Sequence, residues 1–317
     1  MLDPEGYTHA VATQEEPFVL NSDGDGLFGL TLEQELQRQR DCGACVALTP
    51  TGYLQAGDSD ALRASVRAAA RIDRDDVVFS VPLDVAWFTD EFIGHLVAVL
   101  SRLALPKAVF LGGQFDPMER YREAVANLRR VVAEAGDVAV LRTDLTGFDA
   151  MSHGAFATSI GSGGSLRHMI PFGKFARSNK PDPSPSVLFG ELMSFHKGST
   201  LYSKFADTRP PPACACQACQ GRALDTFLAR EDTVPAHQHS MCTWASWIDD
   251  LLTQPTLADR ATWWRNRCVG AVAQAEIVNT QINQPDAFTA PKTLRAWAEL
   301  PAWLSATQTT TRRLRTQ

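Results

Sequence analysis

Three cysteines fall within six positions, Cys214-Ala-Cys216-Gln-Ala-Cys219, and His237 and His239 follow a short segment later. Thiolates and imidazole are the donors zinc takes in closed tetrahedral sites. One tight turn can bring the three sulfurs together. A helix expected near Arg222 to Arg230 would then return the chain to a nitrogen donor. His239 is the expected fourth ligand, since His237 is closer to Pro235 and its loop; Cys242 could replace either. Four protein ligands leave no position for a substrate water, so the zinc expected here is structural. A second pair, Cys42-Gly-Ala-Cys45, has no partner half-site and reads as two small, partly buried thiols.

The seven cysteines are an odd number clustered for a metal rather than spaced as a disulfide framework. The first residues, Met1-Leu-Asp-Pro-Glu-Gly-Tyr7, carry neither the basic nor the apolar part of a signal peptide. The longest apolar stretch, His95 to Leu105, is interrupted by Ser101 and Arg102 and is too short for a bilayer. A soluble cytoplasmic protein without a membrane partner is expected. The net charge of −6 excludes a polycation, so any nucleic-acid contact must come from a local patch. Arg167, Lys174, Arg177 and Lys180 form the cluster that could meet backbone phosphates.

These residues need elements to position them. Apolar runs Phe18–Asn21, 46–49, 77–81, 108–111, 138–141 and 156–160 read as strands, with helical segments between most of them. Their lack of polar alternation suggests parallel strands buried on both faces. An open doubly wound sheet or a (β/α) barrel would both fit. In either, functional groups gather at the carboxyl ends of the strands. The residues there are Asp23 and Asp25, Asp84, Gly112-Gly113-Gln114, Asp144, and the glycines Gly161 to Gly164. The expected organisation is an N-terminal arm over 1–17, a barrel over 18–205, a zinc-binding subdomain over 206–250, and C-terminal helices with a basic tail over 251–317. After His239 the chain reads as helices over Thr243–Leu252, Thr256–Ile282 and Lys292–Leu304, and six of the seven tryptophans lie there, where they read as packing aromatics.

The CxCxxC-then-His pattern after this strand–helix alternation resembles the tRNA-guanine transglycosylase superfamily. That resemblance implies a (β/α)8 TIM-type barrel with a zinc subdomain. It also implies exchange of guanine for a 7-deazaguanine base of the preQ0 or preQ1 type in nucleic acid, tRNA or DNA. Leu20-Asn-Ser-Asp23-Gly-Asp25-Gly26 stands where the family has DSGGFQ, which implies a catalytic role for Asp23, with Asp25 in reserve. Asp84 matches the strand-end acid that reads the base edge. Gly112-Gly113-Gln114 is similar to the family's QGG turn and implies base binding. The family's FDxxxPTR nucleophile has no acid counterpart in Ala157-Thr158-Ser159-Ile160. Asp144 or Asp149 would then serve, or the chain would be an inactive subunit that binds nucleic acid or a catalytic partner. A homodimer is implied by the family alone. The departures from the tRNA-enzyme spellings make the DNA-modifying branch the natural candidate.

Overall fold

The computed structural model describes residues 1–20, 30–113, 115–174, 182–206 and 211–303. The chain divides into two units, residues 1–179 and 180–317.

The first unit opens with a short helix, α1 (Gly6–His9), followed by α2 (Leu32–Asp41). Thr31 caps α2: its hydroxyl accepts from Gln34 N at 3.3 Å while Gln34 Oε1 accepts from Thr31 N at 2.8 Å, a reciprocal capping box. Then strands and helices alternate: β1 (Ala47–Leu48), α3 (Ser59–Ala69), β2 (Val77–Asp84), α4 (Ile93–Leu100), β3 (Lys107–Gly112), α5 (Ala124–Glu134), β4 (Val138–Thr143), α6 (Thr146–Ser152) and β5 (Ala157–Ile160). Asp58 caps α3, accepting from Ala61 N at 3.0 Å. Asp116 caps a 3-10 turn at Pro117–Arg120; Tyr121 is extended, and α5 starts at Ala124.

All five strands are parallel and lie in sequence order, β1-β2-β3-β4-β5. A doubly wound sheet reverses direction at a switch point; this one does not. Right-handed crossovers repeated without reversal place successive helices on one face. Accordingly α3 packs on α4, α4 on α5 and α5 on α6. The sheet is that of a half-barrel. Among the described residues it ends at five strands, and the closed eight-stranded barrel expected from the resemblance is not shown. In place of a strand over Phe18–Asn21, the described residues show a bridge from Phe18 to Thr51 and a bond from Val19 N to Pro50 O at 2.7 Å; Asn21 lies outside them.

The other face of the sheet carries Leu48, Val78, Ala108, Phe110, Ala139 and Leu141. Tyr7, Tyr53 and Met169 cover it. Tyr7, expected in a loose arm, is 1% exposed and stacks obliquely on Phe110 at 5.5 Å between centroids. A fully buried side chain of this size contributes roughly 1.5–3 kcal/mol through area removed from water.

The second unit starts with an antiparallel hairpin, β6 (Ser186–Phe189) and β7 (Ser194–Lys197), turned at Gly190–Leu192 with Met193 in the left-handed region at φ 47°. It continues with α7 (Gly198–Phe205), β8 (Ala213–Cys214), β9 (Arg222–Ala223), α8 (Thr233–Leu252), α9 (Leu257–Gln281) and α10 (Lys292–Glu299). The helix expected over 222–230 is absent. The segment holds β9 and two 3-10 turns, and His237 and His239 lie inside α8, which begins earlier than the helix expected from Thr243. Its core includes Val187, Phe189, Leu201, Phe205, Leu224, Phe227, Val278 and Phe288. Gly198 is fixed by close packing: a Cβ there would sit 1.7 Å from the carbonyl oxygen of Phe227. Gly198→Ala should therefore cost about 3 kcal/mol or more, because backbone rather than a movable side chain must give way. A denaturant midpoint unchanged from the wild type would contradict this packing.

Candidate metal centre and strand-end rim

The metal-ligand geometry is built by a small β-turn unit. β8 and β9 pair antiparallel, with Cys214 opposite Arg222. Between them Cys219 N and Gln220 N donate to Cys216 O at 3.0 and 2.9 Å, and Gly221 N donates to Cys214 O at 2.9 Å. Gln220 and Gly221 both take positive φ, 49° and 93°, which folds the chain back within one turn. The side chains of Cys214, Cys216 and Cys219 then converge with His239 of α8, all four donor atoms lying within 4.8 Å of one another. His239 Nδ1 is 3.3 Å from Cys219 Sγ and 3.9 Å from Cys216 Sγ. Zinc bonds of about 2.3 Å to sulfur and 2.0 Å to nitrogen put tetrahedral ligand atoms roughly 3.5 Å apart, so this set is close enough to bind a metal ion.

The surroundings set the liganding form of the histidine but not of every thiol. His239 Nε2 lies 2.7 Å from Leu188 O, so Nε2 carries the hydrogen and Nδ1 offers its lone pair. Burial lowers the His239 pKa, which favours the neutral ring. Burial pushes the Cys214 and Cys219 thiols up, so these sulfurs need a cation to become thiolates. Arg222 braces the unit: its guanidinium lies 3.8 Å over the Phe227 ring and 2.7 Å from Asp232, which also accepts from Leu228 N and Ala229 N. His237 and Cys242 are not in the four-residue set, and Cys42 and Cys45 are exposed free thiols.

The strand-end residues of the first unit form a second constellation. Asp84 and Gly112 are register partners at the ends of β2 and β3. Met169 bridges Gly112 and accepts from Gly113 N at 3.0 Å, which carries the 167–169 segment to the same rim. A Cβ on Gly112 would lie 2.6 Å from Leu83 O, so only glycine fits. Asp84 is half-buried; Oδ2 accepts from Tyr53 OH at 2.8 Å and Oδ1 from Ala86 N at 2.8 Å. Each oxygen thus has one donor, and a carboxylate oxygen can accept a second. Asp144, just past β4, accepts from Thr146 N at 2.8 Å through Oδ1 and meets His168 Nε2 at 3.3 Å through Oδ2. Burial raises its pKa, but His168 and the bond from Thr146 outweigh burial and lower it to about 2.

Arg167 is 6% exposed and donates to Gly161 O and Ser162 O at 3.2 and 3.3 Å, where it clamps the glycine loop; burial lowers its pKa to about 10. Lys174 is exposed. Asp23, Asp25, Gln114, Arg177 and Lys180 lie outside the described residues. Asp149 is 1% exposed, away from the rim, and doubly bonded to Arg129.

Sequence reasoning missed three groups that the structure places here. His168 follows Arg167 directly, but a lone histidine carries no spacing signal. Tyr53 reaches Asp84 across 31 positions. Arg142 adopts φ 52° at an irregularity in the β4–β5 register, where Glu5 and Asp3 pair with it and Tyr7 OH lies 2.8 Å away.

The Asp144 pKa makes a pH prediction. A carboxyl held at about 2 against an ordinary 3.8 adds stability that is present above about pH 4 and lost as pH falls toward 2. Asp144→Asn should remove about 2 kcal/mol at pH 7 and flatten that acid limb in a series of denaturation midpoints. An acid limb as steep as the wild type's would contradict the pairing.

Comparison with known protein families, with curated proteins and with solved structures finds no match for this chain. Among the described residues no helix is long and apolar enough to cross a membrane.

Proposed function

We propose that the protein exchanges guanine for a 7-deazaguanine base in nucleic acid, on a (β/α)8-type scaffold braced by a structural zinc on Cys214, Cys216, Cys219 and His239. The observation that carries this reading is the rim: two carboxylates, Asp84 and Asp144, at the ends of alternate parallel strands, with Gly112 and Gly113 between them. Base exchange needs an ionised carboxylate near the sugar carbon and a second polar group to manage the proton on the base. Asp144 remains ionised at neutral pH, and His168 beside it is a group able to carry a proton. Asp84 has capacity left to accept from the Watson–Crick edge of an everted guanine. Asp23 and Gln114 would join the site as the resemblance implies, and Lys174 would meet phosphate. The reduced thiols of the metal set suit the cytoplasm.

A second reading, a non-exchanging subunit that binds nucleic acid or a catalytic partner, is favoured by one specific feature. Both oxygens of Asp144 already hold partners, and β5 carries no acid.

Incubation with labelled guanine or preQ0 and either tRNA or duplex DNA distinguishes the two. Exchange predicts incorporation into one nucleic acid that falls at least a hundredfold in Asp84→Asn and Asp144→Asn, the scale of a lost general acid–base or nucleophilic group. No incorporation, with salt-sensitive binding retained, would establish the second reading.

A further inference from the structure

The second unit contains a polar cavity that neither the zinc nor the strand-end chemistry uses. It is an open groove of about 350 Å³, with Glu191 and Gly270 exposed on its sides. One wall is the β6–β7 turn, with Glu191 and Met193; the other is one face of α9, where Arg267, Gly270, Ala271 and Gln274 recur at helical spacing. Small residues in the middle of that face keep the space open. A Cβ built on Gly270 would meet nothing within 4 Å.

The two charged walls do not neutralise each other. Arg267 and Glu191 line the same cavity without forming an ion pair. Glu191 Oε2 accepts from Gln274 Nε2 at 3.1 Å, which holds the carboxylate on its side. The Arg267 guanidinium lies 4.2 Å over the Trp247 ring and 5.6 Å from the Trp263 ring, so its plane is fixed by stacking. Its Nε is buried and meets no acceptor. A half-buried guanidinium that stacks but lacks an oxygen partner is an incomplete arrangement, since such donors are normally satisfied. Burial lowers its pKa, and the attraction of the nearby Asp250 carboxylate offsets only part of that shift.

We infer that this cavity binds a small zwitterion of the α-amino-acid class, its carboxylate on Arg267 and its ammonium on Glu191. A plain dianion such as phosphate would face the Glu191 carboxylate, and a plain cation would face Arg267. A molecule carrying both charges a few atoms apart satisfies each wall. The planar fork of arginine is matched to a carboxylate, and the apolar surface of Met193 and Ala271 leaves room for a short side chain. This inference is independent of the base-exchange reading.

The test is thermal-shift screening of the full-length protein against the twenty common L-amino acids, each at millimolar concentration, followed by calorimetric titration of the best. At least one should raise the unfolding midpoint. Its amide, lacking the carboxylate, and its N-acetyl form, lacking the ammonium, should each bind at least tenfold more weakly. Gly270→Leu fills the cavity at a position with free space and replaces a poor helix former by a good one. It should fold at least as stably and lose the shift. The inference is overturned if no amino acid shifts the midpoint, if the shift persists in Gly270→Leu, or if the N-acetyl form or inorganic phosphate binds as well as the parent.

Discussion

Cys216→Ser, or exposure of the wild type to a strong chelator, should release one equivalent of zinc per chain and collapse the segment around the metal set. Coupling between structural zinc and folding reaches about 10–16 kcal/mol in zinc-finger peptides, against a whole-domain stability of about 5–15 kcal/mol. Loss of even part of it is therefore the largest single effect expected in this chain. The reach of the damage follows from His239. Its Nδ1 faces the thiols and its Nε2 holds Leu188 O of β6, so release of the metal unties α8 from the β6–β7 hairpin as well as from the turn at 214–221. Hydrogen exchange should show protection lost over 213–240 and at β6. Cys42→Ser, at an exposed thiol, should leave zinc content and stability unchanged. A metal-free wild type of equal stability would remove the zinc from this account.

Asp149→Ala should destabilise the first unit by about 3–5 kcal/mol, because it strands a buried cation. Arg129 and Asp149 are 7% and 1% exposed and share two bonds, Nε to Oδ2 at 3.0 Å and a terminal guanidinium nitrogen to Oδ1 at 2.7 Å. They tie α5 to α6 on the helical side of the sheet. Replacement of both partners by apolar residues, Arg129→Met with Asp149→Leu, should recover most of that loss, since a buried pair gains little over well-packed hydrophobes. Unfolding midpoints of the two single variants and the double variant measure it. If the double variant is as unstable as the sum of the singles, the ion pair is not the reason Asp149 is buried.

The contrast between Asp149 and Asp144 shows how far the sequence could be read. Both were plausible acids in the sequence, five positions apart. Only packing separates them: Asp149 lies within α6 and faces Arg129, whereas Asp144 precedes the helix and faces His168 on the rim. The parallel strands were legible because runs such as Val77 to Val81 have no polar alternation. The metal set was legible because its three sulfurs are local. His239 was the expected nitrogen donor, yet the helix expected to deliver it is replaced by 3-10 turns, since Arg222 and Asp232 hold the backbone there through side-chain bonds that no periodicity reveals. Tyr7 was unreadable for a related reason. Its segment is polar around one aromatic, and its burial depends on Phe110, over a hundred positions away.

The position of Tyr7 has a consequence for how the chain is made. The first residues cannot reach their final place until β3 and β4 exist, because Glu5 pairs with Arg142, 137 positions later. At translation rates of about 5–20 residues per second, that segment waits roughly 7 to 27 seconds after its own synthesis. From its own synthesis until Arg142 follows, Phe110 stands open on the uncovered side of a growing sheet. The closing step is thus a late, long-range event performed by a segment made well before its partners. A newborn chain lacking it would offer an apolar surface to chaperones and to other nascent chains.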